Sequence, residues 1–377
     1  MPRIDLVFFD AGGGHRAAAN ALRQVIEQQQ RPWEVRLVNL QELLDPLDVF
    51  RRLTTIRLQD IYNLMLRNGW TLGSTYLLGM MHGIIRLYHR PVVRMLEKFW
   101  REERPDLVVS LIPNFNRAMG ESLHRTLPGV SLATILTDFA DYPPHFWIER
   151  QQQYFVCGTA RAAQQARALG HDDAHIFQAS GMILAPRFYE TPEIDRAAER
   201  RKLGLDPDLP TALVLFGGHG SRVMLEIAKR LDGSGLRLQL ILICGRNETL
   251  VRDLRKLPHR IPMFVEGFTK EIPHFMRLSD FFIGKPGPGS ISEALAMQLP
   301  VLVERNAWTL PQERYNADWI VENQMGLVLR NFRYIVQAVA ELLQPENYRR
   351  FHAKAAACQN RAVFEIPDIL AKILANQ

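Results

Sequence analysis

Short, almost unbroken apolar runs alternate along the chain with stretches whose apolar residues recur every three or four positions. The runs lie at residues 4–9, 35–38, 107–111, 132–136 and 154–156 in the first half, and at 212–216, 238–243, 263–265, 281–283 and 301–303 in the second. They lack polar alternation, as strands buried on both faces do, and so predict parallel sheets covered by helices. Strand–helix alternation then predicts βαβ units and an α/β, doubly wound fold.

The two halves open alike. LVFFDAGGGHRAAANALRQVI and ALVLFGGHGSRVMLEIAKRL are each a strand, a glycine-rich turn and a helix. Between them, residues 189–210 are polar and rich in Pro and Glu, with a short helical piece, and read as a connection. The expected organisation is therefore a Rossmann-like domain over 1–188, a linker over 189–210, a second Rossmann-like domain over 211–350 and a helical tail over 351–377. In such sheets ligands bind beyond the carboxyl ends of the strands, so both glycine turns are expected to face a cleft between the domains. One insertion, residues 43–104, is too long for a simple crossover and is helical in pattern. In it Arg86, Arg90, Arg94 and Lys98 recur every four residues and share a helical face, while Pro91 is expected to kink or break the helix.

Composition narrows the field. A chain of 377 residues with 47% hydrophobic and 23% charged positions is ordinary globular material of about two domains. Lys and Arg outnumber Asp and Glu by 46 to 40, giving +6, which favours an anionic partner: a nucleotide, a membrane surface or a nucleic acid. Cys157, Cys244 and Cys358 show no metal-ligand spacing and fit a reducing compartment. The most apolar stretch, 77–85, is interrupted by His82 and falls short of the about 20 residues of a membrane span. With no signal-peptide pattern at the N-terminus, a cytoplasmic protein is expected.

Five constellations carry candidate chemistry. Gly12, Gly13 and Gly14 allow close approach of a ligand, and His15 stands at the start of a helix whose free N–H groups suit an anion. A histidine there accepts a proton near neutral pH; a tight turn whose histidine only packs is the plainer reading. Thr137-Asp138, followed by His145 and Trp147 behind Pro143-Pro144, puts a carboxylate at a strand's C-terminal end, as a base or a helix cap. Gly217-Gly218-His219-Gly220-Ser221 is shaped for backbone contacts to phosphate, although it is neither a Walker A loop nor G-x-G-x-x-G. GKPGPGSISEALAMQLP, from Gly284, offers a helix N-terminus for phosphate and Glu293 as acceptor for a ribose diol. The alternative is a capping box of Ser290 and Glu293. Finally Gln312, Glu313 and Asn316 suit the hydroxyls of a sugar, or begin an ordinary polar helix.

DAGGGHRAAANAL, GKPGPGSISEALAMQLP and QERYN together resemble the diacylglycerol glycosyltransferases: monogalactosyldiacylglycerol synthases and processive diacylglycerol glucosyltransferases. The peptidoglycan N-acetylglucosaminyl transferase is more distantly similar. The likeness runs in order through PDLVVSLIP, the TD…H.W stretch, the GGHG loop and the VEGF segment. It implies a GT-B fold, an inverting transfer from a UDP-sugar and no metal or other cofactor. His15 and Asp138 then match the catalytic positions, with Gly13, Gly14, His145 and Trp147 on the acceptor side. Gly218, Ser221, Phe268, Gly287, Gly289, Ser290 and Glu293 match the nucleotide and phosphate positions, and Gln312 and Glu313 the donor sugar. Pro311 departs from the family, standing where a glycine commonly precedes the Gln-Glu pair, and Trp308 is unfamiliar there. The implied partners are a UDP-sugar, a lipid acceptor and an anionic membrane surface on the cytoplasmic side, met by the basic region of residues 77–104. A soluble or polyprenyl-linked acceptor and a UDP-sugar epimerase are the alternatives. Nucleic acid ranks last, because no recognised module for it is visible.

Overall fold

Each of the ten apolar runs forms a strand within one residue of its expected ends: β1 (Arg3–Phe8), β2 (Glu34–Asn39), β3 (Leu107–Ser110), β4 (Ser131–Ile135), β5 (Tyr154–Cys157), then β7 (Thr211–Leu215), β8 (Gln239–Ile243), β9 (Met263–Glu266), β10 (Phe281–Gly284) and β11 (Val301–Glu304). Two further strands complete the sheets, β6 (Ile176–Gln178) and β12 (Gly326–Leu329). The computed structural model describes residues 1–10, 13–45, 74–141 and 145–376, with the side chains of 74–82 and 84 left out. Gly12, Pro143, Pro144 and residues 46–73 of the insertion lie outside the described residues.

Every ladder is parallel. The first sheet has the order β2-β1-β3-β4-β5-β6 and the second β12-β11-β10-β7-β8-β9. In each, the order reverses once, between β1 and β3 and between β7 and β10. At such a point the connections leave in opposite directions and open a crevice at the strands' C-terminal ends. The loop after β1 carries His15 and the loop after β7 carries Gly218, so both glycine turns stand at a reversal.

The described residues fall into two compact units, one running to Pro186 and resuming at Asn360, the other from Arg187 to Gln359. In the first, the Gly14–Gln28 helix buries Ala18, Ala19, Leu22, Val25 and Ile26. Part of that face is covered by the last helix, Ala362–Ala375, whose Ile366, Leu370 and Ile373 share a core with Leu22 and Ile26. Helices span Pro345–Ala357 and Ala362–Ala375, and the final one is pinned at its start: Asn360 Nδ2 donates to the Met182 carbonyl at 2.9 Å and Arg361 N–H to Ser180 Oγ at 2.7 Å.

The Ser74–Glu103 helix runs unbroken through Pro91, so of the expected kink or break the break does not occur. Proline removes the hydrogen bond to the carbonyl four residues back, that of Leu87. Leu87 is 77% exposed, so water can serve that carbonyl. Val92, Val93, Leu96 and Trp100 are buried on one side, and the Trp100 indole donates to Ser122 Oγ at 2.8 Å on the Asn116–Thr126 helix. Arg86, Arg90, Arg94 and Lys98 are exposed on the other.

In the second unit the stretch expected as a linker holds the Arg196–Lys202 helix. Arg200 is buried, pairs with Asp280 at 2.8 Å and donates to the carbonyls of Leu278, Pro207 and Leu209. Asp280 also receives the Thr211 N–H at 2.7 Å, which ties this stretch to the entrance of β7 and β10. All three cysteines are free thiols.

Candidate active site

In the first unit, Gly13 caps the Gly14–Gln28 helix with φ of 81°, a left-handed conformation that glycine adopts without steric cost. The chain therefore turns sharply into the helix and sets His15 in its first turn. The half-buried imidazole meets Thr137 Oγ1 through Nδ1 at 3.2 Å, and the carbonyl of Leu111 beside β3. Desolvation pushes the imidazole down to about 4, and the Leu111 carbonyl, which favours the protonated ring, only partly offsets this. A neutral imidazole is a proton acceptor at physiological pH.

Asp138 is buried and accepts the Trp147 indole N–H at 2.9 Å, while the Trp147 and His15 rings lie 6.1 Å apart. The structure thus gathers His15, Thr137, Asp138 and Trp147, with Thr137 rather than Asp138 on the histidine. Gly13 and Gly14 are exposed at the turn. His145 adopts φ of 53° and its Nδ1 lies 3.2 Å from the Ile148 carbonyl. Sequence reasoning passed over Asp141, whose carboxylate accepts the Trp147 N–H at 2.6 Å and whose backbone exchanges hydrogen bonds with Gln165. Burial raises Asp141 to about 6, and the N–H groups of Trp147 and Ile148 hold it back. Through that bond it anchors the Trp147 backbone.

In the second unit, the loop after β10 leads into the Pro288–Ala296 helix, capped by Gly287 with no side-chain bond. The helix thus begins ahead of Ser290, and no capping box of Ser290 and Glu293 forms. Pro288, whose fixed φ suits a first helical position, starts it early. The amides of Gly289 and Ser290 have no partner among the described residues. Glu293 is half-buried, and desolvation raises its carboxyl to about 7 against the opposing pull of Arg187.

Next to this loop, Gly245 takes φ of 59° with the Gly218 carbonyl so near that an added Cβ would stand 2.4 Å from its oxygen. That carbonyl accepts the Arg246 N–H at 2.9 Å, and Arg246 lays its guanidinium 4.7 Å from the centre of the Phe268 ring, which is 55% exposed. Ser221 Oγ accepts the Val223 N–H at 3.3 Å. In the VEGF segment the Val265 carbonyl accepts from Arg255, and the Gly267 N–H donates to the Glu266 carboxylate. Gln312 is half-buried and Glu313 buried on a single turn headed by Pro311. Asn316 Nδ2 donates to the Pro286 carbonyl at 2.9 Å and so ties that turn's helix to the glycine loop. Arg246 was missed by sequence reasoning; the available signal was its place directly after a glycine at the end of β8. Among the described residues no three His, Cys, Asp or Glu side chains are grouped to hold a metal ion.

Residues 15–181 match the monogalactosyldiacylglycerol (MGDG) synthase family, and residues 211–370 match the glycosyltransferase family 28 C-terminal domain. Among curated proteins, monogalactosyldiacylglycerol synthase 1, chloroplastic, of Arabidopsis thaliana is 27% identical over 91% of this chain and 65% of its own length. The chloroplastic monogalactosyldiacylglycerol synthase of Spinacia oleracea is 26% identical over 99% of this chain and 71% of its own. Solved structures of the same fold include Acinetobacter baumannii MurG, with a TM-score of 0.63 at 13% identity, covering 98% of this chain and 100% of that one. S. aureus MnaA in complex with UDP superposes with a TM-score of 0.63 at 16% identity, over 100% and 97% of the two chains. The fold is GT-B. With the MGDG synthase family matched in its first half and the glycosyltransferase family 28 C-terminal domain in its second, the chain is a glycosyltransferase of the MGDG-synthase type.

Proposed function

We propose that the protein transfers a hexose from a UDP-sugar to a lipid hydroxyl, diacylglycerol or a glycolipid, with inversion at the anomeric carbon. The observation that carries the donor half is the Pro288–Ala296 helix. It opens at the strand-order reversal of the second sheet, the Gly289 and Ser290 amides having no partner among the described residues and Glu293 following. Two amides and a helix dipole suit a diphosphate, and a carboxylate suits the two hydroxyls of a ribose. Phe268, steadied by Arg246, offers an exposed ring to a uracil. Gln312 and Glu313 serve the sugar.

For the acceptor half, His15 is the base. Thr137 and the Leu111 carbonyl orient the neutral ring, which takes the proton as the lipid oxygen attacks the anomeric carbon from the face opposite UDP. The C–O bond to UDP breaks, and the amides of the glycine loop receive the charge that develops on the departing phosphate. Asp138, engaged by Trp147, holds the surrounding loop. No metal is assigned a step.

The protein works, in this reading, from the cytoplasmic side of an anionic membrane. No helix among the described residues is long and apolar enough to cross one. The exposed Arg86, Arg90, Arg94 and Lys98 face a lipid surface well, and Leu87 beside them is 77% exposed. Between this helix and Asn116–Thr126 lies a cavity of about 480 Å³ lined by Arg90, Arg94, Arg117 and Arg125, with His89 and Glu121.

Incubation with UDP-hexoses and vesicles containing diacylglycerol tests the reading. A glycolipid of inverted anomeric configuration and free UDP are expected. The His15→Ala variant should lose roughly 10²- to 10⁴-fold in kcat while UDP affinity holds. Conversion of the nucleotide sugar to an epimer with no acceptor present would replace this reading with an epimerase.

A further inference from the structure

Lys285 is the first residue after β10, at the point where the second sheet reverses its strand order. Its ammonium lies 2.9 Å from Glu313 Oε1, and the Glu313 side chain is only 10% exposed against 40% for Lys285. The carboxylate therefore fixes the place of the cation, which still reaches solvent. Two glycines lie close to the lysine stem. A Cβ on Gly287 would stand 3.3 Å from Lys285 Cε and 3.6 Å from Glu313 Oε1, and one on Gly217, in the loop after β7, would stand 3.7 Å from the same Cε. Small residues in two separate loops thus leave the lysine stem its channel. The helix that follows this loop begins with the amides of Gly289 and Ser290, which have no partner among the described residues.

Backbone amides and a helix dipole carry partial charges, whereas a diphosphate carries at least two full negative ones. A full positive charge fixed in the loop that leads into that helix, against Gly287, supplies what they lack. We propose that Lys285 binds the diphosphate of the nucleotide, and that Glu313 is the positioning residue that aims its ammonium and links the phosphates to the sugar-binding turn. This deepens the nucleotide reading above and rests on it. An ammonium has three donors, so it can serve a carboxylate and a phosphate oxygen together. As the sugar–phosphate bond breaks, charge on the leaving phosphate increases and the same contact strengthens, which places the effect in kcat as well as in binding.

Calorimetric titration of the full chain at pH 8 with UDP, UMP and uridine tests this. Wild type is expected to bind UDP more tightly than uridine. Lys285→Met should lower UDP affinity roughly 10- to 100-fold, the scale of a lost charge-assisted bond, and leave uridine within about twofold. Lys285→Arg should recover most of the loss, since the charge returns. In Glu313→Gln, Lys285→Met should cost less than in wild type, because the ammonium is no longer aimed. Uridine binding and a thermal melt report the fold of each variant, so a variant that loses uridine as well is read through Lys285→Arg. A Lys285→Met protein that binds UDP as wild type does would overturn the lysine's role. So would an equal loss of UDP and uridine that Lys285→Arg does not restore. Wild type that binds no UDP at all would overturn the nucleotide reading itself, and this inference with it.

Discussion

Glu293 and His15 are displaced from their ordinary pKa values in opposite directions, because burial penalises the carboxylate in one and the imidazolium in the other. The two shifts separate binding from chemistry along the pH axis. With its carboxyl near 7, Glu293 is mostly protonated at pH 6, and a ribose diol donates best to the ionised form. Binding of a UDP-hexose at pH 6 should therefore release about one proton, and binding at pH 8 almost none. Calorimetry in buffers of different ionisation heat measures this directly, since a diphosphate esterified at both ends does not titrate in the range. Glu293→Gln should abolish the release and weaken binding at pH 8. His15, at about 4, stays neutral over that interval, so kcat should remain level where donor affinity declines. A kcat that falls in step with Glu293 protonation would remove the separation. Much of this was visible in the residues alone, since GGGH and K-P-G-P-G-S name their own loops. Which partner His15 meets was not: Thr137 and Leu111 follow two other strands and reach the ring only through sheet order. Lys285 stood in plain sight within its motif, but its significance depends on Glu313, which chain distance conceals.

At the scale of elements, buried strands of Val, Leu and Ile announced themselves by their unbroken runs, and ten of the twelve were legible. The two that were not, β6 and β12, are the outer strands of their sheets; β6 is only three residues long and β12 starts on a glycine. An edge strand has neighbours on one side only and needs a weaker apolar signal. The 189–210 stretch, a connection by its polarity, also carries a buried guanidinium. Arg200 uses its guanidinium to bind the carbonyls of Leu278, Pro207 and Leu209 and the Asp280 carboxylate. Removing one partner of such a buried pair strands the other, so Asp280→Ala should cost about 3–5 kcal/mol, read as a lower urea midpoint. Leu370→Ala, in the helix that covers Gly14–Gln28, should cost about 3 kcal/mol by opening a cavity in the first core. Unchanged midpoints in both would mean that these contacts form without supporting the fold.

Over the whole molecule, an excess of six positive charges is modest, and its placement matters more than its sum. Four cations, Arg86, Arg90, Arg94 and Lys98, occupy one face of the Ser74–Glu103 helix, opposite a buried seam of Val92, Leu96 and Trp100. Flotation with vesicles should show binding that rises with anionic lipid and falls with salt, each cation near the surface adding about 1 kcal/mol. Replacing Arg86, Arg90, Arg94 and Lys98 by Gln should release the protein without lowering its melting temperature. Equal binding to neutral vesicles would shift the attachment to apolar contact. The returning helix of residues 362–375 has a different effect, on how the protein is made. Its partner surface on Gly14–Gln28 leaves the ribosome early and waits, apolar and uncovered, while the entire second unit is translated. The second unit's described residues, 187–359, are contiguous and can close before that helix is made, so the unit begun earlier is the later one to be sealed.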